Sequence, residues 1–362
     1  MKLIIFILLL IPLIIFLLHY FTPEPPVSEI GYARQALYKA DKNHAGTYAN
    51  KLFLEANALY DSAMAIWQKE NRKFIYFRDY SSVVRFAQMA AEKAGQAVES
   101  SKANSTNLKI GLSQKIDTLN KIITFLDEIF PDYPLSPETR SQISAGKLLL
   151  KESEHAYQKG EYARANNKIN DSELLLISSY ETAMINLREY FKLFPVWKKW
   201  ADRTIRESKQ NSDYSIIVDK FSRKCHIYHN GVRKYEFNVE LGKNWVGHKR
   251  IKGDLATPEG MYKVIKKIEK GRTKYYKALL IDYPNETDIK EFHREIANGI
   301  LPESSKIGGL IEIHGSGGRG IDWTEGCIAL IDKEMDVVFR IAKIGTPVTI
   351  VGSLADIQGI IK

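Results

Sequence analysis

Two side chains in this sequence have the chemistry, and the neighbours, of a reactive pair. His314 ends the run Ile311-Glu312-Ile313-His314, whose alternating pattern predicts a short strand, and Gly315 follows it. Cys327 follows Gly326 and opens the apolar run Ile328-Ala329-Leu330. Between them lie the glycine-rich stretch Ser316 to Gly320 and then Ile321-Asp322-Trp323-Thr324-Glu325. A histidine at one strand end and a cysteine after a glycine turn can face each other across adjacent strands. A free thiol has a pKa of about 8.5, so a cysteine nucleophile at neutral pH needs a base beside it, and imidazole is one. Gly326 lets the backbone approach a bound carbonyl, which makes the amides of Gly326 and Cys327 candidate oxyanion donors. Gly315 permits a sharp turn, and its carbonyl is a candidate partner to hold the imidazole tautomer.

The elements around this pair read as a mostly-β domain. Strands are expected at Tyr214–Asp219, Lys224–His229, Val232–Val239, Met261–Ile268, Leu279–Asp282, Ile311–His314, Cys327–Ile331 and Val348–Val351, with Asn230-Gly231 as a hairpin turn. A helix is expected at Asp332–Ile344, where Met335, Val338, Phe339 and Ala342 share a face. Cys225, His226 and His229 invite a metal reading, but strand alternation puts Cys225 and His226 on opposite faces, so neither a metal nor a cofactor is expected. A Cys225–Cys327 disulfide would block the thiol and stays open at this level. Trp323 reads either as loop packing or as a lid over substrate, and Asp322 and Glu325 either as solvated charges or as substrate contacts.

Upstream, the period changes to that of helices. Pro23 to Pro26 form a stiff spacer. Apolar stripes then run through Ala49, Leu52, Ala56, Leu59, Ala63 and Ile66, through Val83, Ala87, Ala90, Ala94 and Ala97, and through Leu108, Leu112, Leu119, Ile122 and Leu126. Pro131, Pro134 and Pro137 mark a break with Ser136 as N-cap, and helices resume to Gln158, turn at Lys159-Gly160-Glu161 and run to Phe194. Leu59–Ala97 and Leu149–Ala183 both have the form of a helical hairpin, so a bundle or a repeat-like array fits. Trp197 and Trp200 are expected to pack the last helix, and the polar stretch Arg206 to Ser212 reads as a linker.

The fold class is therefore α+β multidomain: an anchor at 1–21, a helical spacer or docking region at 28–205 and the mostly-β domain at 212–352. The 362 residues suit two folded units and an anchor. Leu3 to Leu18 is uninterrupted apolar sequence after Lys2, and no small-x-small cleavage site follows it. This predicts an uncleaved signal anchor with the rest outside the cytoplasm, a cleaved signal being the alternative. The net charge of +9 is spread along the chain, which fits an acidic polymer or an anionic membrane surface. No zinc knuckle, RNA-binding aromatic motif or basic recognition helix is present, so nucleic acid is not an expected partner. Two cysteines exclude a disulfide scaffold.

His314-Gly315 followed by Thr324-Glu325-Gly326-Cys327 resembles the signature of the YkuD-type L,D-transpeptidase family. Gly253-Asp254, Thr257-Pro258-Glu259-Gly260 with Tyr262, and Tyr283-Pro284-Asn285 with Asp288 extend the resemblance over about Tyr214 to Gly352. It implies Cys327 as nucleophile and His314 as general base and acid. It places Gly326, Gly315, Glu325 and Thr324 in oxyanion and positioning roles, and Asp254, Thr257, Tyr262 and Trp323 against substrate. In that family the cysteine attacks the carbonyl of the L-centre of diaminopimelate in a peptidoglycan stem tetrapeptide, D-alanine leaves, and an amine or water takes the acyl group. Two positions depart from the pattern: Glu325 replaces the usual histidine and Ala329 the usual arginine or asparagine. The resemblance thus implies a cell-wall transpeptidase in the cell envelope, periplasmic in a Gram-negative cell. Its alternatives are a thiol hydrolase or carboxypeptidase of the same class and a non-catalytic wall-binding scaffold. The partners implied are stem peptides, the membrane through the N-terminal run, and a protein partner through the helices.

Overall fold

The computed structural model describes Pro12, Phe16, His19, Tyr20 and residues 22–131 and 133–361. Apart from those first four residues, the expected anchor at 1–21 lies outside the described residues. Among the described residues no helix is long and apolar enough to cross a membrane. The chain divides into two compact units, residues 1–119 with 146–173 and residues 120–145 with 174–362.

The first unit is helical. It holds α1 (Val27–Lys42), α2 (Ala45–Tyr48) and α3 (Asn50–Asn71), with parts of α4 (Ser81–Ile129), α5 (Pro137–Gln158) and α6 (Tyr162–Phe191). The alanine stripes are its core. Ala63, Ala87 and Ala90 pack with Ile30, Ala33 and Val83, while Ala56, Ala94 and Ala97 pack with Leu37 and Ala40. Small side chains let helix axes approach closely, so these helices bury one narrow face and leave the rest solvated. The stripes at 83–97 and 108–126 belong to one helix of 49 residues, because no proline interrupts them.

The second unit carries the β domain. Its strands are β1 (Tyr214–Asp219), β2 (Lys224–His229), β3 (Val232–Asn238), β4 (Gly260–Ile268), β5 (Ala278–Ile281), β6 (Glu312–His314), β7 (Ile328–Ala329) and β8 (Pro347–Val351), in the sheet order β3-β2-β1-β8-β4-β5-β6-β7. The pairs are antiparallel except β1–β8 and β6–β7. Bridges Glu240↔Ala329 and Gly242↔Thr324 bring the segment after β3 back to β7, so the sheet curls into a β half-barrel. Strand β7 is shorter than the expected Cys327–Ile331, because the Cys327 carbonyl accepts a hydrogen bond from Thr324 Oγ1 (2.7 Å). Helices α8 (Glu286–Ala297), α9 (Asp332–Ile341) and α10 (Ile357–Ile360) complete the unit, and α9 is the expected helix, three residues shorter than Asp332–Ile344. Helix α8 was not among the expected elements, although Asn285 and Asp288 form its capping box.

The linker reading of Arg206 to Ser212 is corrected by the structure. Helix α7 (Phe194–Gln210) runs through this stretch, and β1 starts at Tyr214. Its inward positions are Trp197, Ala201, Thr204 and Ser208, so the buried face ends in polar residues and looks like linker in sequence. Trp197 is buried in the core shared with β1 and β8. Its Nε1 donates to Glu259 (3.0 Å), which also accepts from the Tyr190 hydroxyl (2.7 Å) and from Lys220 Nζ (2.9 Å). Lys220 is fully buried and donates further to the carbonyls of Gly247 (2.6 Å) and Thr257 (2.7 Å). Burial pulls the lysine's pKa below its ordinary value and the Glu259 charge opposes this. Removing one partner of such a pair strands the other charge, so Glu259→Ala is expected to cost about 3–5 kcal/mol. Urea unfolding followed by circular dichroism checks this; a loss near zero would show that the pair does not hold α7 to the sheet.

Candidate active site

The parallel pairing of β6 and β7 sets His314 level with Ala329 and Ile313 level with Ile328. Cys327 therefore stands level with Glu312, and the Glu312 amide points at its Sγ (3.4 Å). Cys327 directly precedes β7, whose Ala329 is level with His314 at the end of β6. The chain arrives at this point under strain: Leu310 has φ 56°, a conformation rare for a bulky residue, and its carbonyl lies 3.8 Å from Sγ.

The imidazole is fully buried and held from several sides. Its Nδ1 lies 2.6 Å from the Gly315 carbonyl, and since a carbonyl only accepts, Nδ1 carries the proton. The lone pair is then on Nε2, which is buried and has no hydrogen-bond partner among the described residues. An unpaired buried nitrogen costs about 1–3 kcal/mol, which makes it a marker of a working atom. The Tyr275 ring lies flat on the imidazole, centroids 3.5 Å apart and planes 1° apart, and Trp323 meets it at 5.9 Å and 68°. Burial pushes the His314 pKa down to about 4, against the pull of the Gly315 carbonyl and with Lys274 and Arg319 adding to the fall. Burial pushes the Cys327 thiol up to about 11, opposed by the Glu312 amide, aided by the Glu312 charge and opposed again by the charges of Lys274 and Lys249. Both shifts favour the neutral thiol and the neutral imidazole. Both cysteines are free thiols.

The residues expected from sequence fall into two groups. Thr324 is buried and ties the turn together, its Oγ1 donating to the Cys327 carbonyl and accepting from the Gly326 amide (3.2 Å). The Gly326 amide, expected as an oxyanion donor, bonds inside the turn here, and the Cys327 amide has no hydrogen-bond partner among the described residues. Gly326 is required for another reason. Its φ is 128°, and a Cβ there would lie 2.4 Å from the Ala256 carbonyl oxygen. Glu325 is exposed and meets its neighbours through its carbonyl, 3.5 Å from Lys249 Nζ. Trp323 is at the imidazole, its Nε1 donating to Glu240 (2.6 Å).

Asp254, Thr257 and Tyr262, expected against substrate, each hydrogen-bond within the fold. Asp254 accepts from Lys249 Nζ (2.6 Å) and from the amides of Arg250 (2.7 Å), Ile251 (3.0 Å) and Ala256 (3.0 Å). Burial raises its pKa, but Lys249 and these amides outweigh that and leave it below the usual value. Thr257 Oγ1 accepts from the Gly242 amide (3.0 Å), and the Tyr262 hydroxyl donates to the Glu259 carbonyl (3.1 Å), with Asp288 3.2 Å away. All three shape the strand that approaches the cysteine turn. Sequence reasoning missed Tyr275, Lys274 and Glu240. Lys274-Tyr275-Tyr276 sits in a charged loop with no period, and Glu240 gives no signal beyond its place before Leu241-Gly242. Glu240 nonetheless holds the glycine-rich loop, accepting from the amides of Gly318 (3.1 Å) and Gly320 (2.7 Å).

Residues 213–350 match the YkuD family, the L,D-transpeptidase catalytic domain. Among solved structures, Bd1075 of Bdellovibrio bacteriovorus is similar at 21% identity, covering 41% of this chain and 52% of that one, with a TM-score of 0.32. An L,D-transpeptidase of Stackebrandtia nassauensis is similar at 14% identity over 39% and 56% of the two chains, with a TM-score of 0.27. L,D-transpeptidase 1 of Mycobacterium tuberculosis is similar at 13% over 39% and 62%, with a TM-score of 0.25. This chain therefore covers between about half and three fifths of these structures' own length. No curated protein matches the chain.

The neutral pair has a kinetic signature. With the thiol held high, alkylation of Cys327 by iodoacetamide should rise about tenfold per pH unit from neutral into the alkaline range, with no plateau between pH 5 and 8. Peptide mapping separates Cys327 from the buried Cys225. A pH-independent rate across that interval would reveal a thiolate–imidazolium pair instead.

Proposed function

We propose that the L,D-transpeptidase catalytic domain at residues 213–350 acylates Cys327 with a peptidoglycan stem tetrapeptide and passes the acyl group to an amine. The observation that carries this reading is the unpaired, buried Nε2 of His314, on an imidazole whose other nitrogen is pinned to Gly315, in the strand paired with the one that directly follows Cys327. As Sγ attacks the carbonyl of the diaminopimelate L-centre, its proton passes to Nε2 and a carbon–sulfur bond forms. The Cys327 amide is the donor best placed for the oxyanion. Nε2 then gives the proton to the departing D-alanine amine as the carbon–nitrogen bond breaks. The acceptor amine repeats these steps in reverse, breaking the thioester and returning the proton to sulfur.

Charges of both signs surround the thiol, with Glu312 raising its pKa against the two lysines. Lys274 and Lys249 both lower the thiol's pKa from nearby, and Lys274 lies 4.9 Å from the Tyr275 ring centroid. Tyr275 and Trp323 would orient the imidazole rather than react. The site suits work in the cell envelope, with the apolar run at Leu3–Leu18 as anchor and the first helical unit as spacer and docking surface. Glu325 and Ala329, where this chain departs from the usual family pattern, bear on the acceptor step.

Digestion of purified peptidoglycan with the full chain, read by mass spectrometry, tests the reading. New cross-links or exchanged terminal residues are expected, and loss of D-alanine alone would mark water as the acceptor. Cys327→Ala should abolish the change, and His314→Ala should match it to within about tenfold, since the two act as a unit. Unaltered activity in Cys327→Ala would end the proposal.

A further inference from the structure

The loop between α3 and α4 has the sequence Arg72-Lys73-Phe74-Ile75-Tyr76-Phe77-Arg78-Asp79-Tyr80. Its base is tied down. Glu70 accepts from Lys73 Nζ (2.7 Å) and from the Asp79 amide (2.9 Å), and the Tyr80 hydroxyl donates to Asn71 (2.7 Å). Arg78 donates to the carbonyls of Lys73 and Asn71 (both 3.1 Å). A single 3-10 turn, Ile75–Phe77, forms the tip. The conformation fixed by these bonds turns the apolar side chains outward: Phe74 is 67% and Phe77 75% exposed, Ile75 and Tyr76 37% each. The rings meet one another, Phe74 with Tyr76 at 5.7 Å and with Phe77 at 6.1 Å, and they add nothing to the helical core.

Burying one phenylalanine is worth about 1.5–3 kcal/mol, so a braced loop that withholds two of them leaves a large driving force unused. The charges say what would use it. Around the tip, Lys73 is paired with Glu70 and Asp79 accepts from the Ser81 amide, while Arg72 and Arg78 leave the loop with a basic excess. Aromatic side chains within a basic collar match the boundary between headgroups and acyl chains of an anionic bilayer.

The packing of this unit adds an independent argument. Ile30 and Ala33, in the first two turns of α1, pack with Tyr80 and Val83, at the end of the loop and the start of α4. Ser28, Glu29 and Tyr32 border one hollow with Gln88. Helix α1 begins at Val27, directly after the Pro23–Pro26 spacer and the apolar run Leu3–Leu18. The chain thus enters the helical unit, from its most apolar segment, at the end where the aromatic loop projects. We propose that the Phe74–Phe77 tip is a membrane-contact site that inserts into the interface of an anionic bilayer beside the point where the N-terminal run enters.

The test uses the full chain in nanodiscs of phosphatidylcholine with phosphatidylglycerol, doped with a photoreactive phosphatidylcholine. Lipid adducts are mapped by mass spectrometry. Adducts are expected on the peptide bearing Phe74–Phe77, falling about fivefold or more in pure phosphatidylcholine discs, where the basic collar has nothing to attract it. They should fall similarly in Phe74→Ser/Phe77→Ser, whose altered side chains are largely exposed. Circular dichroism and the Cys327 alkylation rate should be unchanged in that variant. Adducts on residues 3–18 but none on the loop, or a loop signal equal in both disc types, would overturn the proposal.

Discussion

Five strand residues, Glu312–His314 and Ile328–Ala329, hydrogen-bonded in parallel, determine where the imidazole and the thiol stand. A two-residue strand cannot hold its own register, so the neighbouring chain must hold it. Ala329 exchanges both backbone hydrogen bonds with Glu240 (2.8 and 2.9 Å), and the Leu330 amide donates to the His314 carbonyl (2.8 Å). Glu240 then uses its carboxylate on the glycine-rich loop and on Trp323, which bears on the imidazole edge. One residue thereby fixes both the register and the packing of the base. Close approach is the other condition. A Cβ on Gly242 would lie 2.2 Å from the Leu255 carbonyl oxygen, and the same site is 3.1 Å from the Gly326 Cα, so the two glycines let three backbone segments meet beside the nucleophile.

The segment pressed against Gly326 is itself held from the other side of the domain. Lys220 donates to the carbonyls of Gly247 and Thr257, at either end of the loop that carries Lys249 and Asp254, and to Glu259. Tyr190 and Trp197 complete the Glu259 partners, so helices upstream of the β domain brace the loop that reaches the thiol. Lys249 extends this to the site, pairing with Asp254 while approaching the Glu325 carbonyl. A buried charge network of this kind is a costly way to gain stability and a good way to select one conformation. The position of Lys249 near the sulfur is what that conformation provides.

Much of this was legible in the sequence, for reasons that separate by residue. The strands at Tyr214–Asp219 and Lys224–His229 follow from short strand-like runs, and the hairpin from the second of them to Val232–Asn238 follows from the Asn230-Gly231 turn, both local signals. His314 and Cys327 stand out because their chemistry and their flanking glycines coincide. Tyr275 was not legible: its stacking on His314 depends on β5 pairing with β6, a contact that no local pattern encodes. Helix α7 misled because its buried face ends in the polar residues Thr204 and Ser208; Thr204 Oγ1 bonds the Trp200 carbonyl within the helix and also meets Thr349 Oγ1 (2.6 Å), a contact that no local pattern encodes. Asp254, Thr257 and Tyr262 were expected against substrate; the sequence gives no sign of the hydrogen bonds they make within the fold, which depend on tertiary partners such as Gly242 and Asp288.

Cys327, directly before β7, would react by forming a thioester at its sulfur, with His314 of β6 as the base. Mixing the full chain with a synthetic stem tetrapeptide, quenching in acid and mapping the digested protein by mass spectrometry observes that bond directly. An acyl mass on the peptide containing Cys327, gained with release of D-alanine and absent from His314→Ala on the same timescale, is the expected result. D-alanine release with no adduct on Cys327 at any time, or an adduct on another side chain, would mean that the chemistry does not run through this pair.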